Sequence, residues 1–194
     1  MEFVYLASGS PRRRELLRQI GVPFRLIEAA VDEAVLPGED PRGYVARLAR
    51  AKAEAGGRRR PPGGVEPVLA ADTAVVLDGR IFGKPRDRDD GARMLGALSG
   101  RTHRVLTAVA LGGAGGGSCV SESEVTLRPI DAAECRAYWD CGEPCDKAGG
   151  YAIQGLGAVF VADLRGSHSG VMGLPLFETA QLLAQAGIPR WRVS

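Results

Sequence analysis

The spacing of apolar residues predicts that the chain begins with a strand, a turn and a helix. A short apolar run at residues 3–7 is typical of a strand, and the apolar positions of residues 15–20 are typical of a helix. Gly21 and Pro23 end that helical pattern. The turn between the two elements, residues 8–14, is rich in serine and arginine.

A second helix is predicted to begin at Asp40, because an N-cap aspartate followed by proline favours a helix start. Its apolar positions continue to about residue 55. Residues 56–64, rich in glycine, arginine and proline, are interpreted as an exposed loop. Two apolar stretches, residues 68–71 and 74–77, then lie on either side of Asp72-Thr73.

The remainder of the chain continues the same alternation. Asp78-Gly79 is typical of a tight hairpin turn, which predicts a further strand at residues 80–82. The remaining predicted elements are a helix capped by Asp87 that ends near residue 98, strands at 102–111 and 119–127 joined by a glycine-rich loop at 112–118, a helix capped by Asp131 that ends near residue 140, a turn-rich segment at 142–157, a strand at 158–161 and a helix at 175–186.

These elements together predict an α/β fold with a mixed, twisted sheet flanked by helices. Strands and helices alternate, and an antiparallel hairpin lies among them. A chain of 194 residues suits one buried core, so we expect a single domain over residues 1–194, with two lobes around a groove.

Composition and charge exclude several classes of function. No run of about 18 apolar residues is present, and the first residues lack a basic stretch followed by a long apolar one, so we expect a cytoplasmic protein with no membrane partner. The net charge of +2 is too small to predict nucleic-acid binding. Four cysteines without C-x-x-C spacing and two histidines make a zinc site improbable, and the cysteines are interpreted as reduced thiols.

The turn at Ser8-Gly9-Ser10-Pro11-Arg12-Arg13 is a candidate anion site. Ser10 suits the N-cap and Pro11 the first helical position, so backbone amides and the positive end of the helix dipole are directed at one place. Guanidinium groups beside such a helix end suit a ligand with several phosphates. An ordinary helix cap with exposed arginines is the alternative.

Asp72, with Thr73 beside it, is a candidate metal ligand or general base. A carboxylate placed where a strand pattern expects an apolar residue needs a cation, a metal or hydrogen bonds. Such an acid could activate water for attack on phosphorus. The alternative is an aspartate that forms a bend between two strands. Glu33 is a second candidate acid, weak by itself.

Lysine is rare in this chain, since only three of its 25 basic residues are lysines. Lys52 lies on the apolar face of the second predicted helix, and Lys84 lies between Gly83 and Pro85. An ammonium group binds phosphate as a point charge. We therefore expect Lys52 and Lys84 to reach a common groove, the alternative being that each extends to solvent.

The segment at residues 142–155 combines many glycines with Asp146, Lys147 and Gln154. The amide of Gln154 offers one donor group and one acceptor, which matches the imide edge of uracil or thymine. A purely structural turn stabilised by Asp146 and Lys147 is the alternative. His103 and His168 are interpreted as structural residues.

Taken together, these segments resemble the Maf family of nucleotide pyrophosphatases, also described as septum-formation inhibitors. The motifs that carry the resemblance are Ala7-Ser8-Gly9-Ser10-Pro11-Arg12-Arg13, Lys52-Ala53, Ala71-Asp72-Thr73, Gly83-Lys84-Pro85, Leu98-Ser99-Gly100 with His103, Asp146-Lys147-Ala148-Gly149, Ile153-Gln154-Gly155 and Gly173-Leu174-Pro175. All three lysines fall within these motifs, which chance does not explain.

The resemblance implies a fold of the Maf and Ham1 type, shared with inosine-triphosphate pyrophosphatases. It also implies cleavage of a nucleoside triphosphate between its α and β phosphates. Asp72 would be the proton acceptor, with Lys52 and Lys84 on the phosphates. The substrate-binding residues would include Ser8, Ser10, Arg13 and Lys147, with Ser10 and Arg13 on the phosphates. Glu33 and Asp72 would hold a divalent cation, Mg²⁺ or Mn²⁺.

The resemblance also bears on the substrate. Arg12, Thr73 and Gln154 match the branch of the family that cleaves dTTP and UTP, with modified pyrimidine nucleotides as further candidates. The branch that acts on 7-methyl-GTP is similar to a version with Trp, Gln and Glu at these positions. The alternative function is a nucleotide-binding regulator of cell division. A homodimer is left open.

Arg12 is expected to select the base, whereas Arg13 binds phosphate. Replacement of Arg12 should therefore change the preference among nucleotides more than it lowers the best rate. Pyrophosphate release from a panel of nucleoside triphosphates by Arg12→Ala measures this. A uniform loss of rate on every substrate would contradict the assignment.

Overall fold

The structure is a computed structural model that describes residues 2–113 and 115–191. Its strands are β1 (Val4–Leu6), β2 (Phe24–Leu26), β3 (Val68–Leu77), β4 (Arg80–Phe82), β5 (Thr102–Gly112), β6 (Gly117–Leu127) and β7 (Val161–Arg165). Its helices are α1 (Pro11–Gln19), α2 (Pro41–Arg58), α3 (Arg88–Leu98), α4 (Ala132–Asp140), α5 (His168–Met172) and α6 (Leu176–Gln185). Three short 3-10 turns cover Glu143–Asp146, Ala148–Gly150 and Leu156–Phe160.

Seven strands of the described chain form one mixed sheet in the order β2-β1-β3-β5-β6-β7, with β4 paired to β3. β1 runs parallel to β2 and to β3, with Tyr5 opposite Arg25 on one side and Val68 on the other. β3 with β4 and β6 with β7 are antiparallel pairs. The predicted α/β fold with a mixed sheet flanked by helices is confirmed.

Local signals placed most element ends correctly. The side chains of Asp40, Asp87 and Asp131 cap α2, α3 and α4, as predicted. The turn between β3 and β4 has positive φ at both Asp78 (50°) and Gly79 (76°), which matches the twist that a two-residue hairpin requires.

Two predicted boundaries are wrong. α2 continues through Gly56 and Gly57 to Arg58, past the expected end near residue 55, and Gly56 packs closely against β3 and its neighbours. The strand expected at residues 158–161 begins only at Val161, the first of these residues to pair with β6, while Leu156–Phe160 forms a 3-10 turn. Ala114, within the predicted glycine-rich loop, lies outside the described residues.

Three other features differ from expectation. β2 and α5, of three and five residues, were not predicted because neither is long enough to show a periodic pattern. Ser10 occupies the N-cap of α1, but its side chain makes no capping bond in the described chain. Pro11 has no amide hydrogen, so the first turn has one donor fewer to satisfy.

The described chain divides into two compact units. The first comprises Met1–Asp72, Thr107–Ser121 and Gly173–Ser194, and its buried residues include Leu6, Leu17, Leu48 and Leu183. The second comprises Thr73–Leu106 and Glu122–Met172, with a core around Leu95, Leu98, Val125 and Tyr151. The single domain over residues 1–194 and the groove stay predictions.

Gly56 and its neighbour Gly57 provide a matched test of packing at the end of α2. A Cβ at Gly56 would lie 2.9 Å from Val68 Cγ1 and 3.2 Å from Ala7 Cβ, whereas at Gly57 nothing lies within 4 Å. Gly56→Ala should lower the free energy of unfolding by about 1–3 kcal/mol through overpacking. Gly57→Ala should raise it by about 0.5–1 kcal/mol, because alanine favours a helix. Urea denaturation measures both, and equal effects would contradict this account.

Candidate active site

The centre of the candidate site is the ammonium group of Lys52, which lies between two carboxylates. Lys52 Nζ is 2.7 Å from Asp72 Oδ1 and 2.7 Å from Glu33 Oε1. The Lys52 side chain is only 13% exposed, so its ammonium is directed at the acids rather than at solvent. The alternative in which Lys52 extends to solvent is therefore wrong.

Asp72 lies inside a buried strand. β3 runs from Val68 to Leu77 without interruption, so the alternative of a bend at Asp72 is wrong. Ala71 and Ala74 of this strand are buried, Thr73 is half-buried, and the Asp72 side chain is 10% exposed. Burial raises the pKa of Asp72 above its ordinary value, while Lys52 and Arg13 oppose that rise.

Contacts with Gly173 and Ser8 help to hold Arg13 in place. Its Nε donates to the carbonyl oxygen of Gly173 at 2.8 Å, and its Nη1 donates to Ser8 Oγ at 3.1 Å. Burial lowers the pKa of Arg13, and the charges of Asp72 and Glu33 oppose that effect. A guanidinium remains protonated at neutral pH, so Arg13 adds a fixed positive charge near both acids.

The predicted anion turn is only in part an ordinary helix cap. Within the described residues, Ser10 occupies the N-cap position without a side-chain capping bond, and Ser8 makes contacts within the turn. Ser8 Oγ accepts hydrogen bonds from the backbone amide of Ser10, at 3.2 Å, and from Arg13 Nη1. Ser8 therefore organises the turn. Arg12 follows in the first turn of α1, partly exposed, and its charge acts on that of Arg13. The structure thus brings Ser8, Arg13, Glu33, Lys52 and Asp72 into one network, in which Gly173 is a member that sequence reasoning did not assign.

A second group of predicted residues lies in the other compact unit, on the segment at residues 143–157. Glu143 orders this segment, because its carboxylate accepts from Tyr138 Oη at 2.6 Å, Leu156 N at 2.9 Å and Gly157 N at 3.0 Å. Tyr138 Oη also accepts from Ala152 N at 3.1 Å. Sequence reasoning missed this role of Glu143.

Gln154 is exposed at the end of that segment, directly after the buried Tyr151–Ile153 stretch. Tyr151 Oη lies 2.7 Å from His103 Nε2 in the core, which agrees with the structural interpretation of His103. Burial lowers the pKa of His103 to about 4, so its ring is neutral at physiological pH.

The two other lysines lie in the same unit. Lys147 Nζ donates to Glu143 O at 3.1 Å and pairs with Asp146, as the structural alternative for this turn expected. Lys84 is exposed in the loop after β4, and the carbonyl of Gly83 beside it accepts from Gly149 N at 3.0 Å. This bond joins the Lys84 loop to the segment of Lys147.

Comparison with known proteins identifies the family. The model of the family described as Maf-like protein matches residues 3–186. This chain belongs to the Maf-like family. A dTTP/UTP pyrophosphatase of Aromatoleum aromaticum is 56% identical over 198 residues, covering 96% of each chain. A dTTP/UTP pyrophosphatase of Alkalilimnicola ehrlichii is 55% identical over 183 residues, covering 93% of this chain and 91% of its own.

A solved structure, the Staphylococcus aureus Ham1 protein, is a more distant likeness. It is 14% identical, with a TM-score of 0.45, and the match covers 96% of this chain and 97% of that one. The family membership of this Maf-like protein depends on the family model and the close relatives, not on this likeness.

The sequence also predicted reduced cysteines and no membrane-spanning segment. All four cysteines of this Maf-like protein are free thiols, as predicted. In the part of the chain that the structure describes, no helix is long and apolar enough to cross a membrane.

A divalent cation is compatible with the acids of this Maf-like protein. Glu33 and Asp72 already converge on one positive centre, the Lys52 ammonium. Among residues 2–113 and 115–191, no cluster of three or more His, Cys, Asp or Glu side chains could hold a metal ion by itself. Two carboxylates suit Mg²⁺ or Mn²⁺ when a substrate phosphate supplies further oxygens.

Asp72→Asn is expected to make this Maf-like protein more stable at neutral pH. Because the pKa of Asp72 is higher in the folded protein than in the unfolded chain, its ionisation destabilises the fold as pH rises through the folded-state pKa. The thermal midpoint of Asp72→Asn should exceed that of wild type by a few degrees at neutral pH, and the difference should vanish below the unfolded-state pKa of about 4.

Thermal unfolding measured from about pH 3 to pH 8 tests this expectation. Asp163→Asn, at an exposed position of β7, is the control and should show no such trend. A lower midpoint for Asp72→Asn at neutral pH would show that the attraction of Lys52 outweighs the cost of burying the carboxylate.

Proposed function

We propose that this Maf-like protein hydrolyses dTTP and UTP to the nucleoside monophosphate and pyrophosphate. The relatives from Aromatoleum aromaticum and Alkalilimnicola ehrlichii, which are named for this activity, match nearly the whole chain. The observation that carries the proposal is the position of Lys52 Nζ, 2.7 Å from both the Asp72 and the Glu33 carboxylates. This arrangement brings two acids and a cation together at one point.

Arg13 and Lys52 would offset the negative charge of the triphosphate. Arg13 is held through its Nε and Nη1 by Gly173 and Ser8, so its guanidinium is oriented before substrate binds. Preorganised charges lower the free energy of a transition state because they need no rearrangement during the reaction. Backbone amides of the turn and Ser10 would contact phosphate oxygens at the start of α1.

Asp72 would accept the proton of the attacking water. Burial raises the pKa of Asp72, which makes it a stronger base than an exposed aspartate. The water oxygen would bond to a phosphorus of the α–β anhydride, and the bond from that phosphorus to the bridging oxygen would break. The monophosphate and pyrophosphate would separate, and the proton would remain on Asp72 until solvent removes it.

Glu33 and Asp72 would hold the divalent cation, Mg²⁺ or Mn²⁺. When bound, such a cation supplies positive charge to the phosphate oxygens and favours attack on phosphorus. Lys52 shares the same two carboxylates, so its ammonium would move to the phosphates when the cation binds.

Base selection is assigned to Arg12, Thr73 and Gln154. Gln154 is exposed on a segment that Glu143 and Tyr138 hold rigidly, which suits an amide that reads the imide edge of thymine or uracil. Lys84 is assigned to the phosphates and Lys147 to substrate binding. Lys147 would have to exchange its contact with Asp146 for this role.

Three further expectations accompany this function. We expect the reaction to take place in the cytoplasm, where nucleotide pools are present. Modified pyrimidine nucleotides are included among its proposed substrates. Assembly as a homodimer stays a prediction.

Pyrophosphate release tests the function directly. With Mg²⁺ or Mn²⁺, the protein should release pyrophosphate from dTTP and UTP faster than from purine nucleoside triphosphates. Asp72→Asn should lower kcat by about 10²–10⁴, the contribution typical of a positioned general base. Asp163→Asn should retain wild-type activity. Absence of pyrophosphate release from every nucleotide of the panel would overturn the proposal.

A further inference from the structure

The segment that carries Glu33 has no regular structure of its own. It connects β2, which ends at Leu26, to α2, which begins at Pro41. The Glu33 side chain is 59% exposed, so packing does not determine its position. Something else must hold its carboxylate beside Asp72.

Two side chains of α2 hold the backbone of this segment. Tyr44 Oη donates to the carbonyl oxygen of Glu33 at 3.0 Å. Arg47 Nη2 donates to the next carbonyl, that of Ala34, at 2.9 Å. One helix therefore binds two successive peptide groups at the position of the acid.

Arg47 also binds the end of the segment. Its Nε and Nη2 contact the two carboxylate oxygens of Glu39 at 2.6 Å and 2.8 Å, a bidentate pair. The hydrogen bond from Arg47 lowers the pKa of Glu39 to about 2. Glu39 Oε2 in turn accepts from Leu36 N at 3.1 Å. Arg47 thus joins the middle of the segment to its end.

The spacing of residues along α2 explains how one helix binds both the backbone and the side chain of Glu33. Tyr44, Leu48 and Lys52 are four residues apart, so they lie on one face of the helix. Tyr44 binds the backbone of Glu33, and Lys52 binds its carboxylate. Burial raises the pKa of Tyr44, with Asp72 and Glu33 adding to that rise, so its hydroxyl stays a donor.

We propose that Tyr44, Arg47 and Glu39 are positioning residues that hold the Glu33 carboxylate beside Asp72 for binding of a divalent cation. These three residues are called the loop clamp. This inference rests on the proposed function, since it concerns the cation of the same site. The loop clamp would act through the position of Glu33, whose backbone segment it binds.

Binding of Mn²⁺ tests the loop clamp without depending on catalysis. Electron paramagnetic resonance measures free Mn²⁺ during titration of the full chain, with Mn²⁺ alone and with the α,β-imido analogue of UTP, whose α–β bridge resists hydrolysis. Tyr44→Phe and Arg47→Met should each weaken Mn²⁺ binding by about tenfold or more, as is typical when a group that orients a ligand is removed.

Arg50→Met is the matched control. Arg50 lies on the same helix, but its Nε contacts Ser118 Oγ at 3.1 Å rather than the segment of Glu33. This variant should bind Mn²⁺ like wild type. The thermal midpoints of all variants show whether each has folded.

A double-mutant cycle separates positioning from general destabilisation. If Tyr44 acts through Glu33, then Tyr44→Phe should weaken Mn²⁺ binding by less than about twofold when Glu33→Gln is already present. The same loss in both backgrounds would overturn the loop clamp, because Tyr44 would then act without Glu33. Unaltered Mn²⁺ binding in Tyr44→Phe and Arg47→Met would overturn it as well.

The proposed function and the loop clamp fail in different ways. If wild type binds Mn²⁺ and the cycle behaves as expected but no nucleotide is cleaved, the function is wrong and the loop clamp stands. If wild type binds no Mn²⁺ with or without the analogue, the loop clamp is wrong, whatever the activity. In active protein, the Mn²⁺ concentration for half-maximal rate should rise in Tyr44→Phe by a larger factor than kcat falls.

Discussion

The contact of Lys52 with Asp72 and Glu33 is the interaction on which the site depends. A carboxylate within a buried strand is costly unless a positive charge compensates it, and Lys52 provides that charge from α2. The same ammonium binds Glu33, so it joins a strand, a helix and an irregular segment at one point. Burial still raises the pKa of Asp72 despite this partner, so the cost is only partly offset. This retained cost is consistent with the catalytic role proposed for Asp72, because functional sites are often less stable than they could be.

Polar side chains also hold the irregular segments that carry candidate functional residues. Irregular backbone must find hydrogen-bond partners outside helices and strands, and side chains provide them here. In one compact unit, Arg47 and Tyr44 serve the segment of Glu33. In the other, Glu143 accepts two backbone amides of the segment that carries Gln154. In both cases, side chains with no expected chemical role bind the backbone of a segment that carries a candidate functional residue.

Much of the fold could be predicted because its signals are local. A cap such as Asp40 acts on amides two or three residues away, and the Asp78-Gly79 turn depends on the φ angles of its own two residues. Lys52 and Asp72 could also be singled out from the local sequence, because each is a charged residue at a position where the pattern of its element expects an apolar one. The true end of α2 at Arg58 was not predicted, because Gly56 and Gly57 are poor helix formers by local propensity, yet both lie within the helix.

By itself, the sequence determined the alternation of elements, most of their ends and the types of residue available for phosphate chemistry. Only the tertiary structure decided which of those residues meet. It showed that Lys52 bridges two acids rather than reaching solvent, and that Arg13 is anchored by the carbonyl of Gly173, 160 positions away. It also showed that Arg47 and Glu39 hold the segment of Glu33. The reason is physical: a periodic pattern reports which side of an element is buried, whereas a contact between charged groups depends on the packing of distant segments.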